Sequence, residues 1–160
     1  MTEQGVRVSP EWLVLREPAD AAARSAELAT RLRLHIPAAG SLVIHDLGGG
    51  SGAMGRWLAP RLPGPQHWIV HDRDAGLLEI AVADPPDGAA VTVEARRSDI
   101  TQLTRRDLAG GRDLAGASLI VASALLDLLT EEELARMLGA CRRQRPTRRA
   151  TRPSTRRGRR

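Results

Sequence analysis

The feature that most constrains this chain is a glycine cluster set directly behind an apolar run. Val43-Ile44-His45-Asp46-Leu47 leads into Gly48-Gly49-Gly50-Ser51-Gly52. Ala53 to Leu62 then carries Met54, Trp57, Leu58 and Leu62 at helical spacing, ended by Pro63-Gly64-Pro65. A short apolar run bounded by turn residues reads as a buried strand. The alternating Gly48, Gly50 and Gly52 permit positive φ and let the backbone approach a ligand closely. The helix start that follows offers free N–H groups to an anionic group. Strand, tight turn and helix in that order open an α/β fold.

The rest of the chain repeats this unit. Strands are predicted over Ser41–Leu47, His67–His71, Val91–Ala95 and Ser118–Ala122. Helices are predicted over Ala53–Leu62 and Ala75–Val82, with a helical turn over Arg105–Leu108. Thr130 with Glu133 three residues on is a capping box, and opens a last helix running to about Cys141. Upstream, Ser9-Pro10-Glu11 is a helix start followed by a short segment through Trp12 and Leu15. Ala19 to Leu34 reads as one amphipathic helix, closed by Pro37 and Gly40. The expectation is an α/β, Rossmann-like open parallel sheet flanked by helices, with right-handed crossovers.

Charge divides the chain. The formal net charge is +5, yet ten of the 24 arginines lie between Arg142 and Arg160 and no acid follows Glu133. Residues 1–140 hold 14 arginines against 19 acids, a net of −5. The foldable part is mildly acidic, so a nucleic-acid contact is expected only through the tail. Residues 142–160 lack apolar periodicity and repel one another, and are expected to be disordered. The organisation expected is a helical segment over 1–40, a ligand-binding domain over 41–141 and an arginine-rich tail over 142–160. A single cysteine, Cys141, excludes an internal disulfide and a Cys-based zinc site. No stretch nears the roughly 20 apolar residues of a membrane span, and no apolar signal core opens the chain, so a cytoplasmic protein is expected.

Three ligands suit such a glycine turn: a dinucleotide, a phosphate, or the aminoacyl end of S-adenosylmethionine (SAM). Gly50-Ser51-Gly52-Ala53-Met54-Gly55 matches G-x-G-x-x-G, with acids about twenty residues on, as a dinucleotide site requires. Asp46, two positions before Gly48, discriminates between them. A carboxylate there repels a pyrophosphate, whereas the ammonium and sulfonium of SAM are cations. Asp46 favours SAM.

VIHDLGGGSG resembles the first motif of class I SAM-dependent methyltransferases, an acid followed by alternating glycines. The resemblance runs from about Arg16 to Leu138, and rests on order and spacing. It implies that Asp46, Gly48, Gly50 and Gly52 hold the aminoacyl part of SAM. Asp72 in WIVHDRDAGLL takes the place of the carboxylate that binds the ribose hydroxyls, with Asp74 the choice of a shifted register. Asp99 in EARRSDI matches the acid that accepts from the adenine amino group. SLIVASALLDLL resembles the segment flooring the transfer site, with Ser118 where the family usually has an acid. REPADAAARS resembles segments preceding the first strand, which implies that Arg24 pairs with the methionine carboxylate.

The family fold has seven strands, and four are legible here. The fourth is therefore expected to be an apolar edge strand. The change at Cys141-Arg142 suggests a truncated or frame-shifted coding sequence. The function expected is methyl transfer from SAM to a small molecule, with the cofactor half present and the acceptor half largely missing. An NAD-dependent oxidoreductase domain, or a non-catalytic remnant with a nucleic-acid-binding tail, are the alternatives. No residue stands out as a general base, and no metal site is expected. His45 and His71 read mainly as packed or surface strand residues, and His35 and His67 as loop-facing. Trp57 and Trp68 read as core, while Ser123 and Asp127 follow the fourth strand where an acceptor would approach.

Overall fold

The computed structural model describes residues 9–36, 40–88 and 90–144. The expectations for Pro37 and for the tail beyond residue 144 lie outside the described residues.

Four parallel strands form one sheet in the order β3-β2-β1-β4. They are β1 (Leu42–Leu47), β2 (Gln66–Asp72), β3 (Val91–Arg97) and β4 (Leu119–Ala122). The chain leaves β1 for β2 on one side and later returns to place β4 on the other. The carboxyl end of β1 is thus the switch point of the sheet, where open α/β folds form a crevice. The glycine cluster follows immediately.

Alternation along the strands builds two faces. Leu42, Ile44 and Trp68 pack with Ala29, Leu58, Ala59 and Leu62 on one face. These come from α2 (Ala26–Arg33), α3 (Ala53–Leu58) and the 3-10 turn Ala59–Arg61 that finishes α3, with Leu62 just beyond it. Val70 on the same face packs against Leu78 and Ala81 of α4 (Ala75–Ala83). On the opposite face Leu47 joins Ile100 and Leu103 of α5 (Ile100–Leu108) with Met137 and Ala140 of α6 (Glu131–Arg143).

Four expectations change. The single helix expected over Ala19–Leu34 is two: α1 (Pro10–Ala23) and α2, separated by Arg24 and Ser25 in extended conformation. The Ser25 hydroxyl accepts from the Leu28 N–H at 3.2 Å and so starts a new helix instead of continuing the old one. The turn expected at Arg105–Leu108 is the end of a longer helix, α5, which begins at Ile100 with Asp99 as its cap. Its buried stripe is Ile100, Leu103, Thr104 and Asp107, and the two polar members hid the helical period. His67 lies in β2 as predicted, but its side chain faces β3 and not a loop, with Nδ1 against Thr92 Oγ1 at 2.9 Å and Nε2 against Glu94 Oε2 at 3.2 Å. Helix α6 continues through Arg142 and Arg143, both expected in the tail. Arg143 donates to the Leu108 carbonyl at 2.7 Å, which ties the end of α6 to the end of α5.

The capping box is present at Thr130 and Glu133. Strand β4 is half-buried along its length and is an edge of the sheet among the described residues. No helix among the described residues is long and apolar enough to cross a membrane.

Candidate functional site

Asp46, one residue before the end of β1 and on the face shared with Ile44, is completely buried. Neither carboxylate oxygen has a hydrogen-bond partner among the described residues. Burial pushes its pKa up to about 7; Arg24 nearby opposes the shift and Asp72 adds to it. A buried carboxyl left unpaired costs folding free energy. An unpartnered buried carboxyl beside a sheet switch point is a candidate functional group.

The turn above it depends on glycine in two different ways. Gly48, Gly50 and Gly52 have φ of 69°, 53° and 84°, the left-handed region that side chains disfavour. Gly49 is required by space: a Cβ there would lie 2.6 Å from Asp46 Oδ2 and 2.7 Å from Val70 Cγ1. The sequence pattern pointed to the alternating three and missed Gly49, whose partners come from two strands. The N–H groups of Gly48 and Gly49 both donate to the His71 carbonyl, at 2.8 and 3.1 Å. The end of β2 thereby fixes the turn.

Asp72, half-buried at the end of β2, is drawn into the turn as well. Its Oδ2 accepts from the Gly50 N–H at 3.0 Å, and Oδ1 from the Asp74 N–H at 2.9 Å. Asp74 is the cap of α4, accepting from Gly76 and Leu77. The two acids thus divide the work, and only Asp72 reaches the glycine turn. Each Asp72 oxygen keeps a lone pair for a further donor.

Asp99 lies exposed at the start of α5. Its Oδ1 collects the Thr101 hydroxyl at 2.6 Å, the Thr101 N–H at 2.8 Å and the Gln102 N–H at 3.2 Å. These bonds, the Thr101 hydroxyl foremost, hold its pKa below the usual range. All three converge on one oxygen, and no donor among the described residues bonds Oδ2.

Arg24, at the elbow between α1 and α2, donates to the Ala53 carbonyl at 3.4 Å and lies 5.7 Å from the Trp57 ring centroid. The structure therefore brings Arg24, Asp46, the glycines and Asp72 around one turn, with Asp99 one strand further along the same sheet edge. Trp57 is only half-buried and carries Arg61 on its ring, whereas Trp68 is core. After β4, Ala124 takes φ of 51°, a strained value for a residue with a Cβ. It turns the Leu125 side chain to the Gly48 side of the site. Ser123 is half-buried there, Asp127 is exposed on a 3-10 turn, and Ser118 bonds Val43 at the opposite end of β4.

His45 and His71 lie on the other sheet face, stacked with ring centroids 5.1 Å apart. His45 Nδ1 is 2.9 Å from His71 Nε2, and His71 Nδ1 is 3.1 Å from Ser98 Oγ. Burial lowers both pKa values to about 4, so the pair is neutral near pH 7. They support the turn from beneath through the His71 backbone.

No family model matches the chain, and no curated protein matches it in sequence. Solved structures do match. One is a candidate SAM-dependent methyltransferase from Methanococcus maripaludis, at 16% identity and TM-score 0.56, covering 90% of this chain and 62% of that one. Another is a SAM-dependent methyltransferase from Mesorhizobium loti, at 21% identity and TM-score 0.47, covering 78% and 50%. A third is a candidate spermidine synthase from Corynebacterium glutamicum, at 18% identity and TM-score 0.49, covering 82% and 43%. The first likeness shows the fold: a Rossmann-like α/β sheet in common with the Methanococcus protein. The chain spans 62% of that protein's length.

Proposed function

We propose that this chain binds SAM along the carboxyl ends of β1, β2 and β3, as the cofactor-holding part of a methyltransferase acting on a small molecule. The observation that carries this reading is Asp46, a fully buried carboxyl beneath the glycine turn with both oxygens unpartnered among the described residues. A cationic ligand compensates such a group, and an anionic pyrophosphate aggravates it. The name of the Methanococcus neighbour points the same way.

The residues fit the parts of the ligand. Asp46 and the turn from Gly48 to Gly52 would hold the aminoacyl end, with Arg24 offering a fork to its carboxylate. Asp72, already fixed by Gly50, has acceptor capacity for a ribose diol, and Asp99 for an exocyclic amine. When bound, SAM supplies a methyl group activated by its sulfonium. The chain's own contribution is positional and electrostatic: it orients the donor and places negative charge near the cationic part of the ligand. Leu125, aimed at Gly48, gives the acceptor side an apolar wall.

Calorimetry with SAM, S-adenosylhomocysteine and NAD tests this on the purified chain. The expected result is micromolar affinity for both adenosyl ligands, lost in Asp72→Ala, with no heat from NAD. A folded sample that binds NAD, or none of the three, would sink the reading.

A further inference from the structure

Helix α1 buries none of its residues, and Trp12, Val14 and Leu15 along it are exposed. Apolar packing therefore does not hold it in place. Pro18 lies inside the helix and removes one backbone hydrogen bond at its midpoint. Beside that proline is a polar joint. Arg56 of α3 grips Glu17 with both arms, Nε to Oε1 at 2.8 Å and Nη2 to Oε2 at 2.7 Å. The two side chains are only 18% and 24% exposed. The third nitrogen, Nη1, donates to the Ser51 carbonyl of the glycine turn at 2.8 Å and to the Asp84 carbonyl at 3.1 Å. Arg56 thus holds the turn with one hand and α1 with the other two. A two-point, partly buried arginine–carboxylate pair is the strong form of this interaction. Surface pairs such as Arg16–Asp20 contribute far less.

The consequence lies about two turns further on. From Glu17 the helix runs to Ala23 and delivers Arg24 to the Ala53 carbonyl beside the turn. We propose that Glu17 and Arg56 form a latch that docks α1 on the glycine turn and thereby sets Arg24 where it meets the anionic end of the ligand. Both are positioning residues. The latch itself stands on the geometry; its effect on ligand rests on the SAM reading above.

The test combines amide hydrogen exchange on residues 10–24 with binding of two adenosyl compounds. S-adenosylhomocysteine carries a carboxylate, and 5′-methylthioadenosine lacks the amino-acid end. Glu17→Arg should speed exchange in α1 about tenfold without altering protection of β1 and β2. It should weaken S-adenosylhomocysteine about tenfold while leaving methylthioadenosine within about twofold. Glu17→Gln, which keeps the shape and loses the charge, should fall between. Unchanged exchange in Glu17→Arg overturns the latch. Equal weakening of both compounds overturns the delivery of Arg24. A wild-type chain that binds neither compound overturns the SAM reading instead, and the exchange data still decide the latch.

Discussion

At the scale of single residues, Asp46 and Gly49 form one device. The carboxyl is buried without a partner among the described residues, and the space above it that a Cβ on residue 49 would need is taken by the carboxyl and Val70. Two expectations follow. Gly49→Ala forces Asp46 or Val70 to move and should cost about 1–3 kcal/mol in urea unfolding, the range of core overpacking. Asp46→Asn should act oppositely on the ligand-free chain. A carboxyl whose pKa rises from 3.8 to about 7 on folding takes up a proton, so its contribution to stability falls as pH climbs between those values. Removing the ionisable group should therefore stabilise the empty protein at pH 8 by about 1–2 kcal/mol, less than the full shift because the amide is also left unpaired. The same variant should lose most of its affinity for an adenosyl sulfonium. Stability gained with binding lost would mark a residue kept for its ligand.

At the scale of elements, strands β1 and β2 carry a buried titrating pair whose pH dependence is opposite in sign to that of Asp46. His45 and His71 have folded pKa values of about 4, well below the unfolded value of 6.5. A depressed histidine contributes stability above its unfolded pKa and loses it as pH falls toward the folded one. Between pH 6.5 and 4 the histidines weaken the fold while Asp46 strengthens it. Each uncompensated proton is worth about 1.4 kcal/mol per pH unit. Asp46→Asn should therefore lose stability on acidification about twice as steeply as the parent, measured by urea midpoints at half-unit intervals. Equal slopes would mean that Asp46 is ionised in the folded chain. The pair also links the sheet to the site, since the His71 carbonyl holds Gly48 and Gly49. Acid-induced loosening should reach the glycine turn before it reaches the Leu103 and Met137 cluster, as exchange protection would register.

At the scale of the molecule, the two edges of the sheet differ. Strand β3 presents Thr92, Glu94, Arg96 and Arg97, with Glu94 paired to Arg96 and His67. Charged edges of this kind resist pairing with another chain. Strand β4 presents Leu119, Ile120, Val121 and Ala122, all half-buried, with Leu126 and Leu128 exposed just beyond. An apolar strand with free backbone groups is a template for association. Light scattering should show mass rising with concentration, and moderate salt should strengthen the effect, because the driving force is burial and not charge. A monodisperse monomer at high concentration would show that the β4 edge is covered by other means.

The four strands found among the described residues, and their parallel pairing, were legible in the sequence. Short apolar runs between glycine and proline turns are local signals, and their alternation with helices implies a parallel sheet. Their order across the sheet was not legible. The sequence also located the glycine turn, the three acids at strand ends and the Thr130–Glu133 box, each readable within a few residues. What it left undecided needed contacts across the chain. Arg56 and Glu17 are 39 residues apart, and nothing in either segment announces the other. Asp72 and Asp74 are equivalent as letters; only the approach of Gly50 separates the acid that braces the turn from the one that caps α4. Helix α5 was underestimated because Thr104 and Asp107 are buried in it, and Asp107 is satisfied by the Leu114 N–H and by Gln144 from elsewhere in the fold. The uncompensated burial of Asp46 also belongs to the tertiary structure. A carboxylate's charge is written in the sequence, but the free energy of keeping it out of water is set by everything that packs around it.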